Sequence, residues 1–227
     1  MTTRLGIVIL AAGKGTRMHS NSPKVLQPML GEPMLRYVLD ALTPLAGDTL
    51  WTGIGHGAQT VRAHFPGNGT RFILQERQLG TGHALQTAWP VLEENGVSHV
   101  FVVNGDTPLI SDTAMRRFVE TARAGRADLA FLTLTPDDAA AFGRVVRENG
   151  EVKAIIEAKD YSEEEHGPCP SEINSGIYFL RCAAISPLLP ELRNANKSGE
   201  FYITDLVELA VLRNLRVSGV QAGNDMH

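Results

Sequence analysis

Three things are scarce in this 227-residue chain, and each scarcity excludes something. There are two cysteines, Cys169 and Cys182, too few for a disulfide framework, which points to a reducing compartment and an expected cytoplasmic location. No apolar run approaches the ~18 residues a membrane helix needs, so no membrane partner is expected. There is no basic excess: 21 Lys and Arg against 25 Asp and Glu give a net charge of -4. Nucleic acid is therefore not expected as a partner, and any anion site must be local. Internal repeats, low-complexity tracts and obvious linkers are also missing. What is present is ordinary for a globular protein, 43% apolar and 20% charged. At this length a core forms without staples.

Arg4 followed by Leu5 to Ala12 has the outline of a short secretory signal. Its single positive charge is weak for that role. The same run reads as a strand buried on both faces, and the glycine loop after it makes chemical sense only if the run is retained. Further strand candidates lie at 49–54, 71–75 and 99–103. Helix candidates lie at about 58–65, 80–94 and 111–124, with Ser111 as N-cap of the last, and another opens at Pro33 with Met34, Leu35, Val38, Leu39 and Leu42 at helical spacing. Strands alternating with helices imply a mostly parallel sheet. In the second half, 144–148 and 151–157 flank Asn149-Gly150, a type I′ hairpin signal. Residues 173–180 read as a strand, 200–213 as an amphipathic helix, and Glu163-Glu164-Glu165 as a solvated loop. The expectation is one α/β domain over 1–227, a Rossmann-like sheet flanked by helices with a hairpin-containing, substrate-facing subregion.

Leu10-Ala11-Ala12-Gly13-Lys14-Gly15-Thr16-Arg17-Met18 leaves the first strand. Two glycines let backbone N–H groups approach a phosphate without a Cβ between them, and Lys14, Arg17 and Lys24 add positive charge. Two familiar phosphate motifs fail here. Val8 stands where a Walker A loop needs glycine, and Met18 stands where the dinucleotide fingerprint needs its third. The strand His99 to Val103 ends in Asn104-Gly105-Asp106-Thr107-Pro108-Leu109, on the same sheet edge as the first loop. Asp106 alone is a common turn residue. Paired with the loop it gains a role, holding Mg2+ against the phosphates gathered by Gly13, Arg17 and Lys24. His166-x-x-Cys169 is half of a zinc spacing and is discounted, because Cys182 cannot complete four ligands. His83 and His56, near glycines, read equally well as site lining or as satisfied polar residues.

The first loop with Pro23-Lys24-Val25-Leu26 resembles the signature of sugar-1-phosphate nucleotidylyltransferases. The likeness continues through Gln75, Leu79-Gly80-Thr81-Gly82-His83-Ala84, Gly105-Asp106-x-Pro108-Leu109 and Gly143-Arg144. It runs on through Glu157-x-Lys159-Asp160, Glu172-Ile173-Asn174-x-Gly176-Ile177 and Gly199-Glu200-Phe201-Tyr202-Ile203-Thr204-Asp205. In that order the set most resembles the uridylyltransferase domain of bacterial bifunctional N-acetylglucosamine-1-phosphate uridylyltransferase/glucosamine-1-phosphate acetyltransferases. The resemblance implies a nucleotide-diphospho-sugar transferase fold and a reaction of UTP with N-acetylglucosamine 1-phosphate, giving UDP-N-acetylglucosamine and pyrophosphate with Mg2+. By similarity, Leu10, Ala11, Ala12 and Gly13 border the nucleotide, and Gln75, Gly80 and Thr81 recognise uracil. Arg17 and Lys24 hold the triphosphate as the catalytic cations. Asp106 binds the metal, with Asn104 and Gly105 beside it in the substrate-binding set. Gly143, Glu157 and Asn174 contact the sugar.

The chain departs from the family in three places. Asn104 stands where the family usually has Tyr. The family's second metal ligand is an Asn in a Gly-Val-Asn segment, and Asn224, in Gly223-Asn224-Asp225-Met226-His227, is not assigned that role. The family's left-handed β-helix acetyltransferase domain has no counterpart, so the chain reads as a fragment without acetyl transfer. The full-length family protein is trimeric through that β-helix, and a monomer is expected here. The competing readings are a nucleotidylyltransferase for another sugar phosphate or nucleotide, and a nucleotide-binding module without turnover.

Overall fold

The computed structural model describes residues 4–15, 22–67, 69–139 and 141–222. Its frame is a nine-stranded sheet, and the order of elements has the expected alternation. β1 (Leu5–Ala11) leads through a 3-10 turn at Lys24–Leu26 and the short hairpin β2 (Pro28–Met29) and β3 (Glu32–Pro33) into α1 (Met34–Ala46). β4 (Leu50–Ile54), α2 (Ala58–His64), β5 (Arg71–Leu74), α3 (Thr81–Glu94), β6 (His99–Asn104), α4 (Asp112–Ala124) and β7 (Leu129–Leu134) complete the first half. The second half holds β8 (Arg144–Glu148), β9 (Glu151–Ile156), α5 (Glu163–His166), β10 (Ile173–Arg181), α6 (Cys182–Ile185), α7 (Asp205–Leu212) and β11 (Val217–Gln221).

Across the sheet the order is β11-β7-β10-β6-β1-β4-β5, with the β8–β9 hairpin attached to β10. β1 pairs in parallel with both β4 and β6; along the seven-strand path β10 alone runs antiparallel to its neighbours, and the hairpin strands also pair antiparallel. The chain builds outward from β1 through β4 and β5, then crosses back to place β6 on the other side of β1. That reversal is a topological switch point, where open α/β sheets gather ligands at the carboxyl ends of their strands. The pairing of Leu10 with Asn104 puts the first loop and the 104–106 turn side by side there.

Alternate strand residues feed two cores. Val8, Trp51, Val100, Val102, Phe131 and Tyr178 pack with α3, α6, α7 and the hairpin. Ile7, Ile9, Ile54, Phe101, Val103 and Phe179 pack with α1, α2 and α4. This two-sided burial explains why β1 and β6 read as continuous apolar runs. The hairpin turn is as expected: Asn149 and Gly150 both have positive φ, as type I′ requires. Ser111 caps α4, accepting from the Ala114 N–H at 3.2 Å.

Several elements differ from the sequence reading. β7 and β11, a parallel pair, add two strands that the pattern did not suggest. The helix expected at 200–213 begins only at Asp205, because residues 200–203 spend their backbone groups elsewhere: Phe201 N donates to the Leu79 carbonyl at 2.8 Å and its carbonyl accepts from Gly82 N at 2.7 Å. Glu163–His166 forms one helical turn rather than a loop, closed by Ser162 and Glu163 carbonyls. Among the described residues no helix is long and apolar enough to cross a membrane.

Candidate active site

Two clefts meet at the carboxyl edge of the sheet. The first, of about 670 Å3, is lined by Leu10, Ala11, Ala12, Gly13, Lys24, Gln75, Gly80, Thr81, Asn104 and Asp106, all named from the sequence, together with Lys14, Gln78 and Glu200. The second, of about 490 Å3, is lined by Gly143, Glu157 and Asn174, and also by Thr81, Asn104 and Glu200. The last three residues border both clefts, so the two are continuous. Gly105 lies just beneath the first: its N–H donates to the Leu10 carbonyl at 2.8 Å, and a Cβ there would stand 3.0 Å from that of Ala11. It is a packing position that seats Asp106, rather than a lining residue. Arg17 and Asn224 fall outside the described residues.

The Lys24 ammonium pairs with the Asp106 carboxylate across the first cleft. Lys24 arrives on the 3-10 turn and Asp106 on the turn after β6, so the pair fastens the two loops that the switch point brings together. Both side chains keep partial solvent access, which leaves cation and carboxylate available to an incoming anion and its counterion.

Gln75 comes just after β5 and is buried, 3% exposed. Its Nε2 donates to the Gly80 carbonyl at 3.2 Å and to His83 Nδ1 at 2.8 Å. A carbonyl can only accept, so the Gly80 contact fixes the amide orientation and makes His83 Nδ1 the acceptor. Both amide hydrogens are thus consumed within the protein, and Oε1 is the group Gln75 offers to the cleft. His83 is therefore a satisfied polar residue that orients Gln75. Gly80 itself is required: its φ of +109° is glycine territory, and a Cβ would sit 2.4 Å from the Phe201 carbonyl.

In the second cleft Glu157 ends the hairpin. Its Oε1 accepts from Thr204 Oγ1 at 3.0 Å. Burial raises its pKa above the ordinary carboxylate value, Asp160 and Glu200 add to the rise, and the Thr204 bond opposes it. Asn174 sits where β10 breaks register against β7. Its Nδ2 donates to the Tyr178 hydroxyl at 2.5 Å and its Oδ1 accepts from Gly176 N at 3.0 Å. Asn104 presses its amide on Gly176 so closely that a Cβ there would be 2.3 Å from Nδ2. Thr204 and Tyr178 were not named from the sequence as site residues, although the block carrying Thr204 was. Each acts on a named residue through a contact that no local motif encodes. Ser175 also lines this cleft, and among the described residues its buried Oγ has no hydrogen-bond partner.

The chemistry on offer is a set of backbone amides and cations for phosphate, one carboxylate, a hydrogen-bond acceptor for a base, and a carboxylate–amide pair for hydroxyls. The chain is 60% identical over 220 residues to the bifunctional protein GlmU of Oleidesulfovibrio alaskensis, covering 97% of this chain and 48% of that protein. It is 58% identical over 225 residues to the bifunctional protein GlmU of Nitratidesulfovibrio vulgaris Hildenborough, covering 99% and 49%. The chain thus spans about half the length of the curated relatives it matches. A candidate glucose-1-phosphate thymidylyltransferase from Bacillus anthracis, solved with sucrose, shares the fold with a TM-score of 0.79 at 21% identity, over 96% of this chain and 87% of that one. The profile of the MobA-like NTP transferase domain matches residues 7–166, and the chain belongs to that family.

Proposed function

We propose that this chain transfers a uridylyl group from UTP to N-acetylglucosamine 1-phosphate, releasing pyrophosphate. The observation that carries the reading is the adjacency, at the ends of β1 and β6, of the glycine loop and the Lys24–Asp106 pair, opening directly onto the cleft of Glu157 and Asn174. The two clefts together hold the groups a nucleotide sugar would need, for base, phosphates and sugar.

Gln75 supports a uracil-type base. Its free Oε1 accepts from the N3–H of uracil, whereas cytosine presents an acceptor at that edge. Glu157 accepts sugar hydroxyls through the oxygen that Thr204 leaves free, and the second Nδ2 hydrogen of Asn174 remains to donate. The nucleophile, a phosphate oxygen of the sugar phosphate, is already ionised at pH 7, so no general base is needed. It attacks the α-phosphorus as the bond to the bridging oxygen of pyrophosphate breaks. The protein's work is alignment and neutralisation of repelling charge. Lys24 supplies a positive charge at the phosphates, and Arg17 is assigned the same task.

Among the described residues no group of three or more His, Cys, Asp or Glu gathers to hold a metal. One partly exposed carboxylate beside a phosphate loop still fits Mg2+, which binds through one or two carboxylates plus substrate phosphates. Asp106 would hold that ion, and the chemistry it supplies is charge neutralisation on the phosphates.

The test is pyrophosphate release from the 227-residue chain with UTP, Mg2+ and either N-acetylglucosamine 1-phosphate or glucose 1-phosphate. Release that prefers the acetylated sugar is expected. Release that prefers glucose 1-phosphate reassigns the sugar, and UTP binding without release makes the chain a nucleotide-binding module.

A further inference from the structure

At the opposite edge of the sheet, away from both clefts, lies a concavity of about 540 Å3 lined by His99, Arg123, Arg126, Asp128, Arg181 and Arg216. Four guanidinium groups face one carboxylate in a chain whose net charge is -4. They come from four places: the last turn of α4, the residue beyond its cap, the end of β10 and the residue before β11.

The single acid is committed. Asp128 is 9% exposed, and its carboxylate accepts from Arg181 Nε at 2.6 Å and from the Arg216 backbone N–H at 2.9 Å. Its backbone carbonyl also accepts from Arg181 N at 2.8 Å. Asp128 therefore joins the starts of β7 and β11 to the end of β10 and fixes one edge of the Arg181 guanidinium, leaving the other edge open. Among the described residues, no carboxylate pairs with Arg123, Arg126 or the Arg216 side chain. His99 stacks on Phe179, with ring centroids 5.2 Å apart, and gives the cleft a flat wall.

The backbone adds a second observation. Helix α4 ends in a Schellman motif: Ala127 N donates to the Ala122 carbonyl at 3.0 Å and Arg126 N to the Arg123 carbonyl at 2.9 Å. The left-handed position of that motif usually holds glycine, yet here it holds Arg126, with φ of +51°. A cation near a helix carboxyl end is favourable, but Arg123 already provides one without strain. The strained backbone is what carries the Arg126 side chain into the cleft.

We propose that this concavity is a second anion site, for a small molecule bearing a diphosphate or longer phosphate chain. Guanidinium groups grip phosphate oxygens in pairs, and several converging ones suit adjacent phosphates better than a single one. The volume lies in the range of small-ligand pockets, and the charge is confined to one cleft rather than spread as the stripe a nucleic acid tracks. The site does not depend on the proposed uridylyl transfer.

Inorganic pyrophosphate is the probe, titrated calorimetrically into the full chain without divalent cations. The Lys24→Ala variant removes one cation of the first cleft, where Lys14 remains, so the surviving pyrophosphate binding is assigned to the second site by its loss on substitution of the arginines there. The double variant Arg123→Gln/Arg126→Gly is expected to weaken that surviving binding tenfold or more. Arg126→Gly alone relieves backbone strain, so it folds at least as well as the parent; Arg216→Gln is a further variant expected to weaken binding. A second readout is the imidazole of His99, which burial and the charges of Arg123 and Arg181 hold below its ordinary pKa. Arg126, Arg216 and Asp128 line the same cleft, so a bound anion should move its NMR titration to higher pH. Binding in the double variant within twofold of the Lys24→Ala parent, or an unmoved His99 titration at saturating pyrophosphate, overturns the proposal. Parallel titrations with UTP and inorganic phosphate separate the sources: tighter binding of UTP assigns a nucleotide, and equal binding of single phosphate overturns the diphosphate assignment.

Discussion

Gly13→Ala separates what the first loop does for folding from what it does for phosphate. No atom lies within 4 Å of a Cβ built at Gly13, and its φ is outside the left-handed region. Alanine therefore fits the folded backbone. It also removes freedom from the unfolded chain, which stabilises by about 0.4–1 kcal/mol at compatible sites. For a chain of this size each kcal/mol moves Tm by about 2–4 °C, so the variant should melt about 1–4 °C higher. The open space beside Gly13 is the first cleft itself. A methyl group there would stand between the loop amides and an incoming phosphate. Losing one hydrogen bond to a charged oxygen costs about 1.5–3 kcal/mol, or about 10- to 150-fold in affinity.

Scanning calorimetry and steady-state pyrophosphate release, run on the same preparation, decide the matter. The expected result is a raised Tm with a KM for UTP at least tenfold higher. A raised Tm with KM within threefold of the parent would show that phosphate does not pass this loop. A fall in Tm of more than about 5 °C would show that Gly13 is needed by the fold, and the open space beside it would then be the wrong measure.

Gly80→Ala should do the reverse: backbone strain and the approach to the Phe201 carbonyl each cost about 1–3 kcal/mol, so calorimetry should show a Tm lower by at least about 4 °C. Thr204→Val removes the donor to Glu157, and a net hydrogen bond of about 1 kcal/mol predicts a roughly fivefold rise in KM for the sugar phosphate with KM for UTP unchanged. Equal changes in both constants would refute that division of labour. Asp205 has its pKa raised to about 6, mainly by burial and then by Glu157. The folded state holds that proton more tightly than the unfolded one, so stability is greatest below about pH 4 with respect to this group and falls as pH rises through about 6. Asp205→Asn should therefore gain about 1 kcal/mol at pH 8, discounted for partial exposure, and nothing at pH 4 by chemical denaturation; an equal gain at both values would remove the carboxylate as the cause.

Strands buried on both faces were legible because nothing polar interrupts them: β1 and β6 stand in the sequence as apolar runs ending in glycine turns. The Asn149-Gly150 hairpin was legible because its turn chemistry is local. β7 was not named, although Leu129–Leu134 is largely apolar and lies between Gly125 and Pro136. β11, Val-Ser-Gly-Val-Gln, has weak strand propensity and exists through its pairing with β7 at the sheet edge. The 200–204 stretch carries a helical pattern that tertiary hydrogen bonds to α3 override. Residues that would touch a ligand through a motif could be named from the sequence. Those that hold them in place, Thr204 and Tyr178, lie 47 and 4 positions from their partners and became visible only in three dimensions.

That same stretch explains how one domain keeps two clefts in register. Phe201 bonds twice to the start of α3, Ile203 N donates to Thr81 Oγ1 at 3.1 Å, and Thr204 reaches Glu157. Three residues of the 201–204 segment thus tie the proposed base-reading end of α3 to the carboxylate of the proposed sugar cleft. Both glycines at the start of α3 sit under that segment, where a Cβ would meet the Phe201 carbonyl at 2.4 and 3.0 Å. Close backbone approach, rather than a flexible linker, sets the spacing between the clefts. The proposed in-line transfer would depend on that arrangement, because a misplacement of about 1 Å between two substrates costs on the order of a hundredfold in rate. The Gly-Thr-Gly turn thus requires glycine because of the close approach of the Phe201 backbone, and on the proposed function it would act as a spacer between the two clefts.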